Sequence, residues 1–159
     1  MPSFVTHLEA AIDGTRLPAD RAQTVHQGRP LWVRYDLDAI RRCVSPRDFA
    51  NRAATMWRYR ELLPLPNGVE PITLGERITP LLPAPRLGAA LGLHDLWIKD
   101  ESLLPTGTFK SRGLAMAVTL AKHFGVRRLA IPTAGNAGGA MAAYAARAGM
   151  EAFIFMPKD

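Results

Sequence analysis

The chain has 159 residues, 48% of them hydrophobic and 21% charged, and its 20 Lys/Arg against 14 Asp/Glu give a formal charge of +6. Such a length and composition fit one folded domain of modest size, and exclude a largely disordered chain or a string of several domains. The single cysteine, Cys43, excludes an internal disulfide framework and any zinc site built on several thiolates.

Residues 1–22 hold no long apolar run, because Asp13, Arg16, Asp20 and Arg21 interrupt them. Neither a signal peptide nor a membrane span is expected, and the cytoplasm is the expected location. Over residues 24–38, Gly28 and Pro30 punctuate two short extended runs, and Leu31, Val33 and Tyr35 alternate with Trp32 and Arg34. That pattern predicts a hairpin-like element with one half-buried face. Ser45-Pro46-Arg47-Asp48 carries a cap, a first-turn proline and an acid, so a helix is predicted over 46–62, stopped by Pro64 and Pro66.

Six prolines between 64 and 85 mark a wandering connector, followed by a short helix ending near Gly92 and a strand at Leu96-Trp97-Ile98-Lys99. Thr108 is then placed to cap a helix over 109–124, with Leu114, Val118 and Ala121 as its apolar stripe and Gly125 beyond its end. A buried strand is predicted over 128–132, a tight turn over 133–139, an alanine-rich helix to about Ala148, and a second buried strand over 152–156. Strand, glycine-rich turn, helix and strand make a βαβ unit and imply a parallel sheet. The sheet strand laid down last has nothing after it, so the chain is expected to be truncated.

Charge is spread evenly: residues 1–70 carry 10 basic and 8 acidic side chains, and 71–159 carry 10 and 6. With acids interspersed and only isolated Arg41-Arg42 and Arg127-Arg128 pairs, a nucleic-acid partner is not expected. His7, His26, His94 and His123 show no metal-ligand spacing, and no metal is expected.

Two turns carry chemistry. In Pro105-Thr106-Gly107-Thr108-Phe109-Lys110-Ser111-Arg112-Gly113, Lys110 falls in the first turn of its helix. The helix end is electropositive, disfavours a cation by roughly 0.3–1 kcal/mol and draws anions. A lysine there can serve as a Schiff-base nucleophile, although a solvated surface lysine is the commoner case. Thr133-Ala134-Gly135-Asn136-Ala137-Gly138 follows a strand and opens a helix, presenting backbone N–H groups to a carboxylate or phosphate. Neither turn has the GxGxxG or GxxxxGK[ST] pattern. Lys99 and Glu101 either bracket a ligand or form a surface ion pair, Arg112 reads as a helix-surface arginine, and Trp57, Tyr59 and Leu62 as packing residues.

Five blocks in order, Leu74-Gly75-Glu76-Arg77-Ile78-Thr79-Pro80-Leu81, Pro85-Arg86-Leu87-Gly88, Lys99-Asp100-Glu101, the Lys110 turn and the Asn136 turn, make the chain resemble the threonine synthases. More broadly it is similar to the fold-type II pyridoxal phosphate enzymes, the tryptophan synthase β-like family. Met56-Trp57-Arg58-Tyr59-Arg60-Glu61-Leu62-Leu63-Pro64 also resembles the segment ahead of the threonine synthase core. The resemblance covers about Leu31 onward.

It implies an α/β fold, the N-terminal part of a two-domain fold-type II enzyme with parallel βαβ units. Residues 1–68 would form an N-terminal segment with the hairpin and helix, and 69–159 the start of the catalytic core. Lys110 would hold pyridoxal 5'-phosphate and shuttle protons, and Asn136 would hydrogen-bond the cofactor's 3'-oxygen. Thr133, Gly135, Asn136 and Ala137 would bind the substrate. The implied reaction converts O-phosphohomoserine and water to threonine and phosphate in a homodimer. A threonine dehydratase, a diaminopropionate ammonia-lyase and a non-catalytic truncated domain are the alternatives. Three departures stand out. Ser111 replaces an aspartate common after the lysine. No cysteine-rich zinc segment precedes the core. The family's glycine-rich phosphate loop and the Ser/Thr facing the ring nitrogen come later than residue 159, so 159 residues alone are expected to bind cofactor weakly and turn nothing over.

Overall fold

Alternation of apolar and polar side chains builds an antiparallel sheet at the start of the chain. The computed structural model describes residues 3–158; Met1, Pro2 and Asp159, the outermost positions of the two expected segments, lie outside them. Val5–Ala10 (β1), Arg16–Leu17 (β2), Val25–His26 (β3) and Arg29–Tyr35 (β4) form a sheet of order β2-β1-β4-β3. The expected hairpin is β3–β4, closed by Gln27 and Gly28 at φ 49° and 72°. Positive φ at both central residues matches the strand twist and explains the glycine. Its larger partner β1, paired from Val5↔Tyr35 to Ala10↔Leu31, was not expected. The signals were Val5-Thr6-His7-Leu8 and Asp13-Gly14, where Asp13 Oδ1 accepts from the Thr15 N–H at 2.9 Å.

Leu37–Cys43 (α1) is also additional to the expected elements; the Asp36 carboxylate caps it, accepting from the Ala39 N–H at 2.8 Å. The helix predicted over 46–62 starts as expected but is not continuous. Pro46–Ala50 (α2) ends early, and Met56–Leu62 forms a separate 3₁₀ segment. Between them the chain turns extended and pairs with residues 76–78, Met56 N–H donating to the Glu76 carbonyl at 2.9 Å and Ile78 N–H to that of Ala54 at 3.0 Å. Arg52 folds back to grip Glu61, with N–O distances of 2.6 and 2.9 Å, and Glu61 is 2% exposed. A long-range backbone pairing and a buried ion pair thus override local helix propensity.

In the connector, Leu81–Pro83 (β5) pairs antiparallel with Trp97–Lys99 (β6), flanking Pro85–Leu91 (α3). Gly92 ends α3 in the left-handed conformation, as expected. The regular part follows: Lys110–His123 (α4), Arg128–Pro132 (β7), Asn136–Ala148 (α5) and Glu151–Phe155 (β8). β7 and β8 are parallel, from Arg128↔Glu151 to Pro132↔Phe155, so the mixed α/β class and the βαβ unit are present.

These two strands were expected to be buried, and each is buried on one side only. Leu129, Ile131, Ala152 and Ile154 are half-buried, while Ala130, Phe153 and Phe155 are exposed. Helix α5 covers one face, where Ile154 lies against Gly138, and β8 pairs only with β7 among the described residues. The core lies between the helices: Ala115 and Val118 of α4 meet Tyr144 and Ala148 of α5, flanked by Met56, Trp57, Ile72, Leu114, Leu129 and Met150. The stripe of α4 that is buried is Ser111, Ala115, Val118 and Thr119, with Leu114 and Ala121 only half-buried. Small side chains let α4 and α5 approach closely. Thr119 serves both sides, its hydroxyl donating to the Ala115 carbonyl at 2.7 Å and accepting from the Ile72 N–H at 2.9 Å.

Candidate active site

Lys110 is the first residue of α4. The turn before it is shaped by Gly107 at φ 70°, whose N–H reaches the Leu104 carbonyl at 2.8 Å. Thr108 behaves as the predicted cap in part: its hydroxyl accepts from the Lys110 N–H at 3.3 Å and its carbonyl from the Ser111 N–H at 3.2 Å. The cap position itself falls on Phe109. Ser111, fully buried, ties the turn to the helix: its hydroxyl accepts from the Thr106 N–H at 3.2 Å and lies 2.6 Å from Thr106 Oγ1. The Lys110 ammonium sits over the Phe109 ring, 4.6 Å from its centroid.

The facing wall is the turn after β7. Thr133 Oγ1 accepts from the Gly135 N–H at 3.0 Å and the Gly138 N–H at 3.4 Å, and the Thr133 N–H donates to the Phe155 carbonyl at 2.9 Å. Gly135 has φ 149° and ψ −80°, a conformation that residues with a Cβ rarely adopt. At Gly138 a Cβ would come within 2.6 Å of Ile154 Cγ2 and of Thr133 Cγ2, so only glycine lets α5 begin this close to β8.

Lys110, Thr133, Ala134, Gly135, Asn136 and Ala137 line one cavity of about 350 Å³. All five residues singled out from sequence therefore meet at one place, although they belong to two different helices and a turn. The geometry narrows the expected donor set. The Gly135 and Gly138 amides are taken by Thr133, whereas those of Asn136 and Ala137, at the first two positions of α5, fall outside the helical ladder. Two helix N-termini converge on the cavity and favour negative charge in it. A primary amine beside amide donors can condense with an aldehyde and hold an anionic oxygen.

Lys99, Glu101 and Arg112 are elsewhere. Arg112 grips Glu101 through two bonds of 2.6 and 2.9 Å, and the Thr79 hydroxyl donates to the same carboxylate. The Arg112 bonds hold Glu101 at about 2, against an ordinary 4.5. Lys99 donates to the Thr79 carbonyl at 3.1 Å. Both cations border a separate cavity of about 540 Å³, walled by Met56, Tyr59, Ile78 and Met116. Arg112 is thus a paired arginine away from the Lys110 cavity. Trp57 packs on the core as expected, while Tyr59 and Leu62 are 41% and 43% exposed.

A larger cavity, about 610 Å³, lies between the first sheet and the end of α4 and has no lysine or cysteine in its walls. Size favours it, and chemistry selects the smaller one. Among the described residues no group of three or more His, Cys, Asp or Glu side chains is arranged to hold a metal, and no helix is long and apolar enough to cross a membrane. Sequence reasoning missed Glu76 and Tyr144, both fully buried and bonded to each other. Hydropathy patterning has no signal for a buried glutamate; the only cue was its place in the Leu74–Leu81 block.

A family model described as pyridoxal-phosphate dependent enzyme matches residues 72–159. The threonine synthase of Methanocaldococcus jannaschii is 35% identical over 135 residues, 85% of this chain and 33% of that protein. That of Synechocystis is 40% identical over 111 residues, covering 66% and 29%, and that of Mycobacterium leprae 44% identical over 100 residues, covering 63% and 28%. The chain spans about a third of the length of the curated relatives it matches.

Proposed function

Because this chain belongs to the pyridoxal-phosphate dependent enzyme family, we propose that Lys110 holds pyridoxal 5'-phosphate and that the 133–137 turn holds anionic oxygens beside it. The observation that carries this reading is the shared cavity of Lys110 and the Asn136 turn. The donor set fits the group and an amino-acid substrate: an amine for the cofactor's aldehyde, the Asn136 side chain for its ring oxygen, and the Asn136 and Ala137 amides for the substrate's carboxylate. The activity we assign is that of threonine synthase, the name borne by the relatives above, with a small amino-acid substrate and a homodimer as the working unit. In this reading β7-α5-β8 begins the parallel sheet of a two-domain fold-type II enzyme.

When bound, the cofactor supplies the electron sink for losing phosphate from O-phosphohomoserine and adding water to give threonine. The chain's own residues do the rest. Lys110 Nζ would hold the cofactor's aldehyde and, as a free amine in the same cavity, could move a proton at the substrate. Thr133 shapes the turn by taking the Gly135 and Gly138 amides, which leaves the next two amides to orient the substrate carboxylate.

Treatment with pyridoxal phosphate, borohydride reduction and peptide mass mapping test the assignment. The label is expected on Lys110 and absent from Lys110→Ala. Equal labelling of Lys99, Lys122 and Lys158 would refute it. On a form spanning the full length of the relatives, phosphate release from O-phosphohomoserine supports threonine synthase, and ammonia release from threonine points to a dehydratase instead.

A further inference from the structure

Three buried polar groups link the two walls of the Lys110 cavity from behind. Glu76, Ser111 and Tyr144 are each 0% exposed. Glu76 Oε2 accepts from Thr73 Oγ1 at 2.6 Å and Trp57 Nε1 at 3.0 Å; Oε1 accepts from the Leu74 N–H at 2.9 Å and from the Tyr144 hydroxyl. Burial pushes the Glu76 carboxyl up, but the bonds from Thr73, Tyr144 and the backbone outweigh it and hold it below the usual range. Burial, and then the bond to Glu76, push the Tyr144 phenol up, so it stays a proton donor. The Ser111 hydroxyl, buried near the Tyr144 phenol, pulls that phenol's pKa down and binds Thr106.

The placement of these groups is what matters. Ser111 follows Lys110 directly. Tyr144 lies eight residues beyond Asn136 on one helix, about 12 Å along its axis at ~1.5 Å per residue. Apolar side chains of the same volume would fill this space without the cost of desolvating a carboxylate, so stability alone does not account for the set. A hydrogen-bonded set does what apolar packing cannot: it admits one register of α4 against α5.

We propose that Glu76, Tyr144 and Ser111 are positioning residues that lock the first turn of α4 to α5 and so fix the Lys110 amine relative to the Asn136 turn. The inference rests on the role given to Lys110 above.

Tyr144→Phe and Ser111→Ala, each removing one hydroxyl, are compared with Leu65→Ala, which empties a buried site outside the set. Three quantities are read on the full chain: urea stability, the pyridoxal phosphate concentration giving half-maximal borohydride capture on Lys110, and amide hydrogen exchange over 133–138 without cofactor. Tyr144→Phe and Ser111→Ala are expected to raise the half-maximal concentration about tenfold, the scale of one buried hydrogen bond, and to speed exchange in the turn. Leu65→Ala is expected to lose stability and change neither. Parental exchange over 133–138 in both hydroxyl variants overturns the inference, as does a capture change that merely follows stability across all three. If the parent captures no cofactor on Lys110, the functional assignment falls, and the exchange measurement still decides the positioning role.

Discussion

Replacing Gly138 by alanine tests the tight start of α5. A Cβ there would lie 2.6 Å from Ile154 Cγ2 and 2.6 Å from Thr133 Cγ2. Carbon pairs rest at about 3.5–4.0 Å, so roughly 1 Å must be found on each side. Neither neighbour gives easily: Ile154 is a β-branched residue on β8, and Thr133 is held by its bonds to the Gly135 and Gly138 amides. Overpacking of this kind costs about 1–3 kcal/mol, against a helix-propensity gain of about 0.8–1 kcal/mol. Gly138→Ala should therefore destabilise by up to about 2 kcal/mol. Gly139, the next residue on the same helix, has nothing within 4 Å of its Cβ position. Gly139→Ala should gain about 0.5–1 kcal/mol. Urea denaturation of the two variants and the parent gives the comparison directly, and melting temperatures should separate by about 2–4 °C per kcal/mol for a chain of this size. If Gly138→Ala matches Gly139→Ala, or exceeds the parent, the steric account of the turn is wrong.

Two further outcomes follow from the charge pairs. The Glu101 carboxyl, held at about 2 by Arg112, contributes stability that is complete above its ordinary value of 4.5 and is lost as pH falls through that interval to about 2. Glu101→Gln should flatten that acid limb in a series of urea midpoints, and parallel curves for parent and variant would count against the pairing. Arg52→Met leaves the Glu61 carboxylate, 2% exposed, without its main cation, and should cost about 3–5 kcal/mol by denaturation. A loss under about 1 kcal/mol would show that water reaches Glu61.

The β7-α5-β8 unit and the Lys110 turn were legible because their signals are local: glycines at helix ends, short apolar runs of strand length, and a cap threonine. The expected helix over 46–62 failed because its interruption is decided at a distance, by residues 54–56 pairing with 76–78 and by Arg52 reaching Glu61. The first sheet was half-read, since the Gln27-Gly28 turn announces its hairpin while nothing local says that β1 pairs with β4 across more than twenty residues. The candidate site residues were legible through two turns whose backbone amides and amine suit the same ligand. The Glu76 bonds to Tyr144 and Trp57 were invisible, because a glutamate that four donors satisfy looks in sequence like any solvated acid.

Phe153 and Phe155 stand 47% and 62% exposed on the outer side of a two-stranded sheet. Oily rings beside a strand edge left unpaired among the described residues make a template onto which other extended chains add. Self-association should therefore begin at β8 and grow with concentration, visible as rising light scattering, and a lysine in place of Phe155 should suppress it.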